Sequence, residues 1–189
     1  MSPQPSSTTL IRSDQVVRPM IPADTPAVSA VLADAWKDSY SDWLPSAAVS
    51  RAAVARRATI LARQLRSGSP AQHLVGTVNG AVCGFAIVGP GRDEDCSTGD
   101  AELFSLYVAP HCSGSGLGRS LLRRCVSEAR ALGCTRLLVW VLKDNRERRA
   151  FFRRCGLRQD SVRAATEFGG TALTKVRYSM SLTGATPAF

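Results

Sequence analysis

The stretch between Glu102 and Leu132, ELFSLYVAPHCSGSGLGRSLLRRCVSEARAL, constrains this chain more than any other. Leu103 to Val108 are mostly apolar and read as a strand, which Pro110 stops. Three glycines then alternate: Gly114, Gly116 and Gly118. Leu117, Leu121, Leu122, Cys125, Val126, Ala129 and Leu132 fall on one face of a helical repeat, predicting an amphipathic helix. A glycine turn feeding a helix start lacks side chains where a ligand would approach. Its N–H groups point one way, and the positive end of the helix dipole adds to them. The stretch therefore predicts a seat for a phosphate or pyrophosphate.

Two familiar phosphate sites do not fit. There is no G-x-x-x-x-G-K-[ST], so the turn is not a P-loop. The alternating glycines do not give G-x-G-x-x-G, and the next apolar run, Thr135 to Leu142, leads into Lys143, Asp144 and Asn145 rather than to a ribose-binding acid at its end. That run is covered on both faces by its pattern, and a strand, helix and strand of this kind imply a parallel pair with a right-handed crossover.

The rest of the chain supplies further elements. Gln15 to Met20 reads as a strand, and Thr25-Pro26 as a helix start with proline at the first position. Val28, Val31, Leu32, Ala35 and Trp36 form an apolar stripe that continues to Tyr40 and Trp43. Pro45 breaks this helix, and Ser46 to Arg66 predict a second one. Asn79-Gly80 between the apolar runs Gln72–Val78 and Ala81–Val88 is a hairpin signal. The segment RDEDCSTGD, Arg92 to Asp100, reads as a solvated acidic loop, with recognition of a cationic ligand as the alternative. Gly133 caps the central helix. Asn145 to Cys155 form the next helix, ended by Gly156, and Leu157–Ala164 and Thr171–Ser181 a final antiparallel pair. The order is βααβββαβαββ, an α/β class of mixed, mostly antiparallel sheet with a central parallel strand pair flanked by helices.

Composition narrows the class. The 189 residues suit one domain, spanning 15–182 between a Pro- and Ser-rich tail at 1–14 and a C-terminal tail at 183–189. No apolar run approaches the roughly 20 residues that span a bilayer, which argues against a membrane partner. No N-terminal apolar stretch resembles a secretion signal, and six cysteines without a C-x-x-C pair suit a reducing cytoplasm. With only His73 and His111 as histidines, no metal site is expected. The net charge of +9 fits a basic surface, nucleic-acid binding, or a basic rim around a polyanionic cofactor. The third reading is preferred over nucleic acid. Arg119, Arg123 and Arg124, and then Arg146, Arg148, Arg149, Arg153 and Arg154, flank the glycine turn.

Two motifs in order, with a strand between them, resemble the GNAT superfamily of acyl-CoA-dependent N-acetyltransferases. The first is Val108-Ala109-Pro110 followed by Ser113-Gly114-Ser115-Gly116-Leu117-Gly118, with Ser113 where the family has Gln or Arg. The second is Asn145, Phe151, Phe152, Gly156 and Leu157, with Phe152 where the family commonly has Tyr. The resemblance spans roughly Val16 to Leu182. It implies the GNAT fold, whose central parallel pair splays apart to take the pantetheine arm. It also implies acetyl-CoA as co-substrate, without a metal, and an amine-bearing acceptor; dimers are frequent in the family.

By that resemblance the cofactor-binding residues are Leu106, Tyr107, Val108, Ser113, Gly114, Ser115, Gly116, Leu117, Gly118, Arg119, Asn145 and Phe152. Asn145 is also a helix N-cap by position. Trp36 and Tyr40 lie in a segment that forms one wall of the acceptor pocket in the family; a place in the core is the alternative. Glu102, at the start of the central strand, is the expected catalytic base and an acceptor-binding group, or else a solvent-facing residue at a strand edge; Asp100 is a weaker choice. With Phe152 unable to donate a proton, Tyr107 and Cys155 are the substitutes for a general acid. Acetyl transfer to a primary amine of a small molecule or peptide in a ternary complex is the function this implies. A non-catalytic acyl-CoA-binding module is the alternative.

Overall fold

Seven strands and three long helices carry the described part of the chain: β1 (Gln15–Pro19), α1 (Thr25–Tyr40), β2 (Gln72–Val78), β3 (Ala81–Pro90), β4 (Asp100–Val108), α2 (Leu117–Ala131), β5 (Arg136–Leu142), α3 (Arg146–Arg154), β6 (Arg158–Phe168) and β7 (Thr171–Ser181). The structure is a computed structural model and describes residues 14–40, 59, 60, 63, 70–168 and 170–184. The expected second helix, Ser46 to Arg66, lies almost wholly outside the described residues, as does Trp43. The tail segments 1–13 and 185–189 lie outside them as well.

The strands form one mixed sheet in the order β1-β2-β3-β4-β5-β7-β6. Every pairing is antiparallel except β4 with β5. The Asn79-Gly80 turn makes the β2–β3 hairpin, with φ of 51° and 82°, the left-handed values that Asn and Gly tolerate best. The helices divide between the two faces. Leu117, Leu121, Leu122, Cys125, Val126 and Ala129 of α2 are buried with Phe152 and Cys155 in the core cluster on one face. Val28, Val31, Leu32 and Trp36 of α1 pack with Val75, Phe85 and Ile87 on the other. Leu132 leaves the predicted stripe. Helix α2 ends at Ala131 and Leu132 is exposed at its C-cap, before Gly133 turns the chain at φ 79°.

Close approach of α2 to the sheet depends on two glycines. A Cβ at Gly76 would meet Leu117 Cδ1 at 2.8 Å, and one at Gly84 would meet the Tyr107 carbonyl oxygen at 2.9 Å and Leu121 Cδ1 at 3.0 Å.

Parallel pairing of β4 with β5 covers only Asp100↔Arg136 to Leu103↔Val139. Beyond it β4 stays with β3 as far as Gly84↔Val108, and β5 stays with β7 as far as Leu142↔Lys175. The two central strands therefore part company after Leu103, and a cleft opens between their C-terminal halves.

Candidate active site

The glycine turn stands at the mouth of this cleft. Pro110–Cys112 make one turn of 3-10 helix, and Gly114 and Gly116 follow at φ 78° and 90°. These left-handed values suit glycine, and Gly116 is the N-cap of α2 without a side-chain hydrogen bond of its own. A Cβ at either position would meet nothing within 4 Å, so the face of the turn is open. Ser113, Ser115 and Arg119 are exposed beside it, whereas Leu117 is buried beneath. Gln15 Nε2 donates to the Ser115 carbonyl at 2.9 Å, tying the turn to β1. Gly118 faces Phe151, whose ring would lie 3.4 Å from a Cβ there. The result is a helix N-terminus with a glycine-lined approach, the arrangement that receives a phosphate anion.

The cleft encloses about 140 Å³ and is lined by Trp36, Phe104 to Tyr107, Trp140 to Leu142, Arg148, Phe152 and Lys175. Arg148, the third residue of α3, reaches across it: Nη1 donates to the Leu106 carbonyl at 2.9 Å and the guanidinium lies 4.6 Å from the Tyr107 ring centroid. Tyr107 also stacks on Phe85, centroids 5.4 Å apart. Asn145 caps α3, its Oδ1 accepting the Arg148 N–H at 3.0 Å. Phe152 is buried at the inner end, edge-on to Phe151. Trp36 is both core and cleft wall. Tyr40 ends α1, and its side chain lies outside the described residues.

The two candidate carboxylates, Glu102 and Asp100, are both engaged. Glu102 is buried, not solvent-facing. Arg92 holds it in a fork, Nε to Oε2 at 3.0 Å and Nη2 to Oε1 at 2.6 Å, and the same guanidinium lies 3.9 Å over the Phe104 ring. Asp100 is held by Arg136 at 2.8 and 2.9 Å and by the Ser97 N–H and hydroxyl. The Arg136 guanidinium lowers its carboxyl to about 2, so it is a poor base at neutral pH. Cys155 is buried in the core and does not line the cleft; burial raises its thiol.

The acidic loop is largely exposed, as expected, but its aspartates are engaged from within the chain. Arg177 of β7, buried, takes Asp95 in a fork at 2.6 and 2.7 Å, Asp93 at 2.9 Å and Asp160 at 2.8 Å. Trp140 Nε1 adds a bond to Asp93 at 3.0 Å. A loop that clamps its own arginine has few carboxylates left for a cationic ligand. The flanking arginines divide too. Arg149 bonds to Tyr178, Lys143 and Gln159, and Arg124 to Glu128. Arg119, Arg146, Arg153 and Arg154 are exposed.

Sequence reasoning missed Arg148, Lys175, Phe104, Ser105 and Trp140 as cleft residues. Arg148 carries the one usable signal, its place three residues after the N-cap Asn145, which aims the first turn of α3 at the parting strands.

Residues 31–157 match the acetyltransferase (GNAT) family. A 60-residue stretch is 45% identical to an L-amino acid N-acyltransferase of Escherichia coli K12; it covers 32% of this chain and 34% of that relative, so the match spans about a third of the relative's length. The fold is similar to that of a ribosomal-protein-alanine N-acetyltransferase from Brucella melitensis, at TM-score 0.68 and 26% identity over 88% of this chain and 99% of that one. It is also similar to a PaiA N-acetyltransferase from Thermoplasma acidophilum solved with coenzyme A, at TM-score 0.72 and 15% identity over 89% and 99%.

Proposed function

The chain belongs to the acetyltransferase (GNAT) family, and from that premise we propose that it moves an acetyl group from acetyl-CoA to a primary amine of a small molecule or peptide, by direct attack in a ternary complex. The observation that carries this reading is the parting of β4 from β5 directly behind the glycine turn. The N–H groups of Ser113 to Arg119 would hold the pyrophosphate. The pantetheine arm would lie along Leu106, Tyr107 and Val108, with Asn145 and Phe152 beside it. Arg148 occupies that track through its bond to the Leu106 carbonyl, so it must swing aside as the arm enters.

Attack requires the amine and thioester in register, which alone supplies several kcal/mol of the barrier. An N–H of β4 near Leu106 to Val108 would face the developing oxyanion. Glu102 would take the ammonium proton, directly or through water, once its exposed partner Arg92 turns outward. Tyr107, on the cleft wall, would return a proton to the departing sulfur. Lys175 and Arg148 give the cleft a positive rim among aromatic walls. Together with the likeness to an L-amino acid N-acyltransferase, they favour an acceptor that carries a carboxylate beside its amine.

A screen of free-thiol release from acetyl-CoA tests the reading across amino acids, polyamines, aminoglycosides, peptide N-termini and lysine peptides. Turnover with at least one amine, first among amino acids, is expected. Saturable CoA binding without thiol release from any amine would replace it with a non-catalytic acyl-CoA-binding module. Phe152, which has no proton to give, is the residue that favours that second reading.

A further inference from the structure

The entrance to the glycine turn carries a cluster that the acetyl-transfer reading does not use. Cys83 lies buried in β3, and His111 and Cys112 belong to the 3-10 turn that follows β4. The Ala109 N–H donates to the Cys83 carbonyl at 2.8 Å, which lays the turn directly over Cys83. Two further bonds, Cys112 N–H to Ala109 O at 2.9 Å and Ser113 N–H to Pro110 O at 3.0 Å, fix the turn's backbone. The two thiol sulfurs and an imidazole nitrogen lie within 4.8 Å of one another, with Cys83 Sγ 3.9 Å from His111 Nε2. A tetrahedral zinc ion with bonds of about 2.3 Å to sulfur and about 2.0 Å to nitrogen separates such a pair by about 3.5 Å. A shift of a few tenths of an ångström by the exposed His111 closes the Cys83–His111 pair, and the pairs with Cys112, within 4.8 Å, close as that half-buried turn residue moves inward.

We propose that Cys83, His111 and Cys112 form a three-ligand site for a thiophilic divalent cation, Zn²⁺ above all, with a fourth position open to solvent. Two thiolates and an imidazole select this class over Mg²⁺ or Ca²⁺, which take oxygen ligands. The absence of a C-x-x-C pair hid the site, because its ligands stand 28 residues apart and meet only through the β3–β4 pairing. Among the described residues a second group of ligating side chains, Asp93, Asp95 and Cys96, is a poorer choice, since Arg177 already occupies both of its carboxylates. An ion at the first site would pin His111 and Cys112 immediately before Ser113, and so brace the start of the glycine turn.

Cobalt titration of the reduced full-length protein tests this without reference to catalysis. One Co²⁺ per chain is expected, with a thiolate-to-cobalt charge-transfer band and visible bands of tetrahedral intensity, both removed by Zn²⁺. His111→Ala and Cys112→Ser should each weaken binding at least ~10-fold while the far-ultraviolet circular dichroism and melting temperature stay close to wild type, ligand loss costing no less than loss of an outer-shell partner. Cys134→Ser should bind as wild type does. No stoichiometric cobalt spectrum, bands that persist in the His111→Ala/Cys112→Ser double variant, or an equal loss in Cys134→Ser would each overturn the assignment.

Discussion

Replacing Gly116 by alanine separates the turn's binding role from its folding role. Gly116 sits at φ 90°, and alanine in a left-handed conformation costs about 1–2 kcal/mol. For a domain of this size that lowers the melting temperature by about 2–4 °C per kcal/mol. The new methyl touches no protein atom within 4 Å, so strain is the whole folding cost. The methyl does stand where a pyrophosphate would approach the helix start. Displacing two charge-assisted hydrogen bonds of about 1.5–3 kcal/mol each removes about 3–6 kcal/mol of binding. That is about a 10²- to 10⁴-fold rise in Kd for CoA. Gly133→Ala is the matched control. Gly133 has nearly the same backbone, φ 79°, and the same empty surroundings, but at the opposite end of α2. Calorimetric titration with CoA and thermal melts of both variants should give equal stability losses and a binding loss in Gly116→Ala alone. Gly116→Ala binding CoA within about threefold of wild type would refute the placement of the pyrophosphate. Equal binding losses in the two variants would trace the effect to stability instead.

Asp100→Asn should cost about 1–2 kcal/mol at pH 7, because Arg136 holds the Asp100 carboxyl at about 2 against an ordinary value near 3.8 and part of that gain is screened by solvent around Arg136. A lowered carboxyl stabilises the fold above its unfolded value and stops doing so as pH falls toward 2, so urea melts of mutant and wild type should converge in acid. Arg177→Met removes the partner of Asp93, Asp95 and Asp160 and should lower the urea midpoint at neutral pH; since Arg177 holds the Asp95 carboxyl below its usual range, the loss should shrink in acid, and an equal loss at pH 3 would mean packing, not charge. Glu102→Gln should lower kcat at neutral pH with a deficit that narrows in base, where free amine is abundant; a pH-independent deficit would mark a structural role for the Arg92 pair. Phe152→Tyr should leave turnover unchanged or raise it, as a proton donor near the thiolate contributes at most about two to four powers of ten; abolition of activity in a folded variant would show that the buried ring has no room for a hydroxyl.

The parts of the fold that were legible are those fixed by neighbours in sequence. Gly114 and Gly116 announce an open turn at a helix start, Asn79-Gly80 announces a hairpin, and the α2 stripe from Leu117 to Ala129 announces its buried face. The parallel β4–β5 pair followed from the helix between them. What stayed hidden depends on partners far apart. Arg177 meets Asp93 across 84 residues, which makes the exposed acidic loop a clamp. Glu102 meets Arg92 only because the chain doubles back between β3 and β4. Leu132 matched the helical period but fell one residue past the end of α2, where periodicity carries no information about the cap.

Gly76 and Gly84 lie on strands β2 and β3 and line neither the cleft nor the turn, yet they set the height at which α2 rides above the sheet. The turn is carried on that helix. Its position relative to the parted strands is therefore a property of the strand surface beneath, not of the turn's own residues. Transplanting Ser113 to Arg119 onto another sheet would not carry the site with it unless the recipient offered the same pair of side-chain-free rungs under Leu117 and Leu121. In laboratory evolution the same logic makes Gly76 and Gly84 places where a single added methyl would tilt the mouth of the cleft, detuning cofactor capture from below while every contact residue stayed as it was.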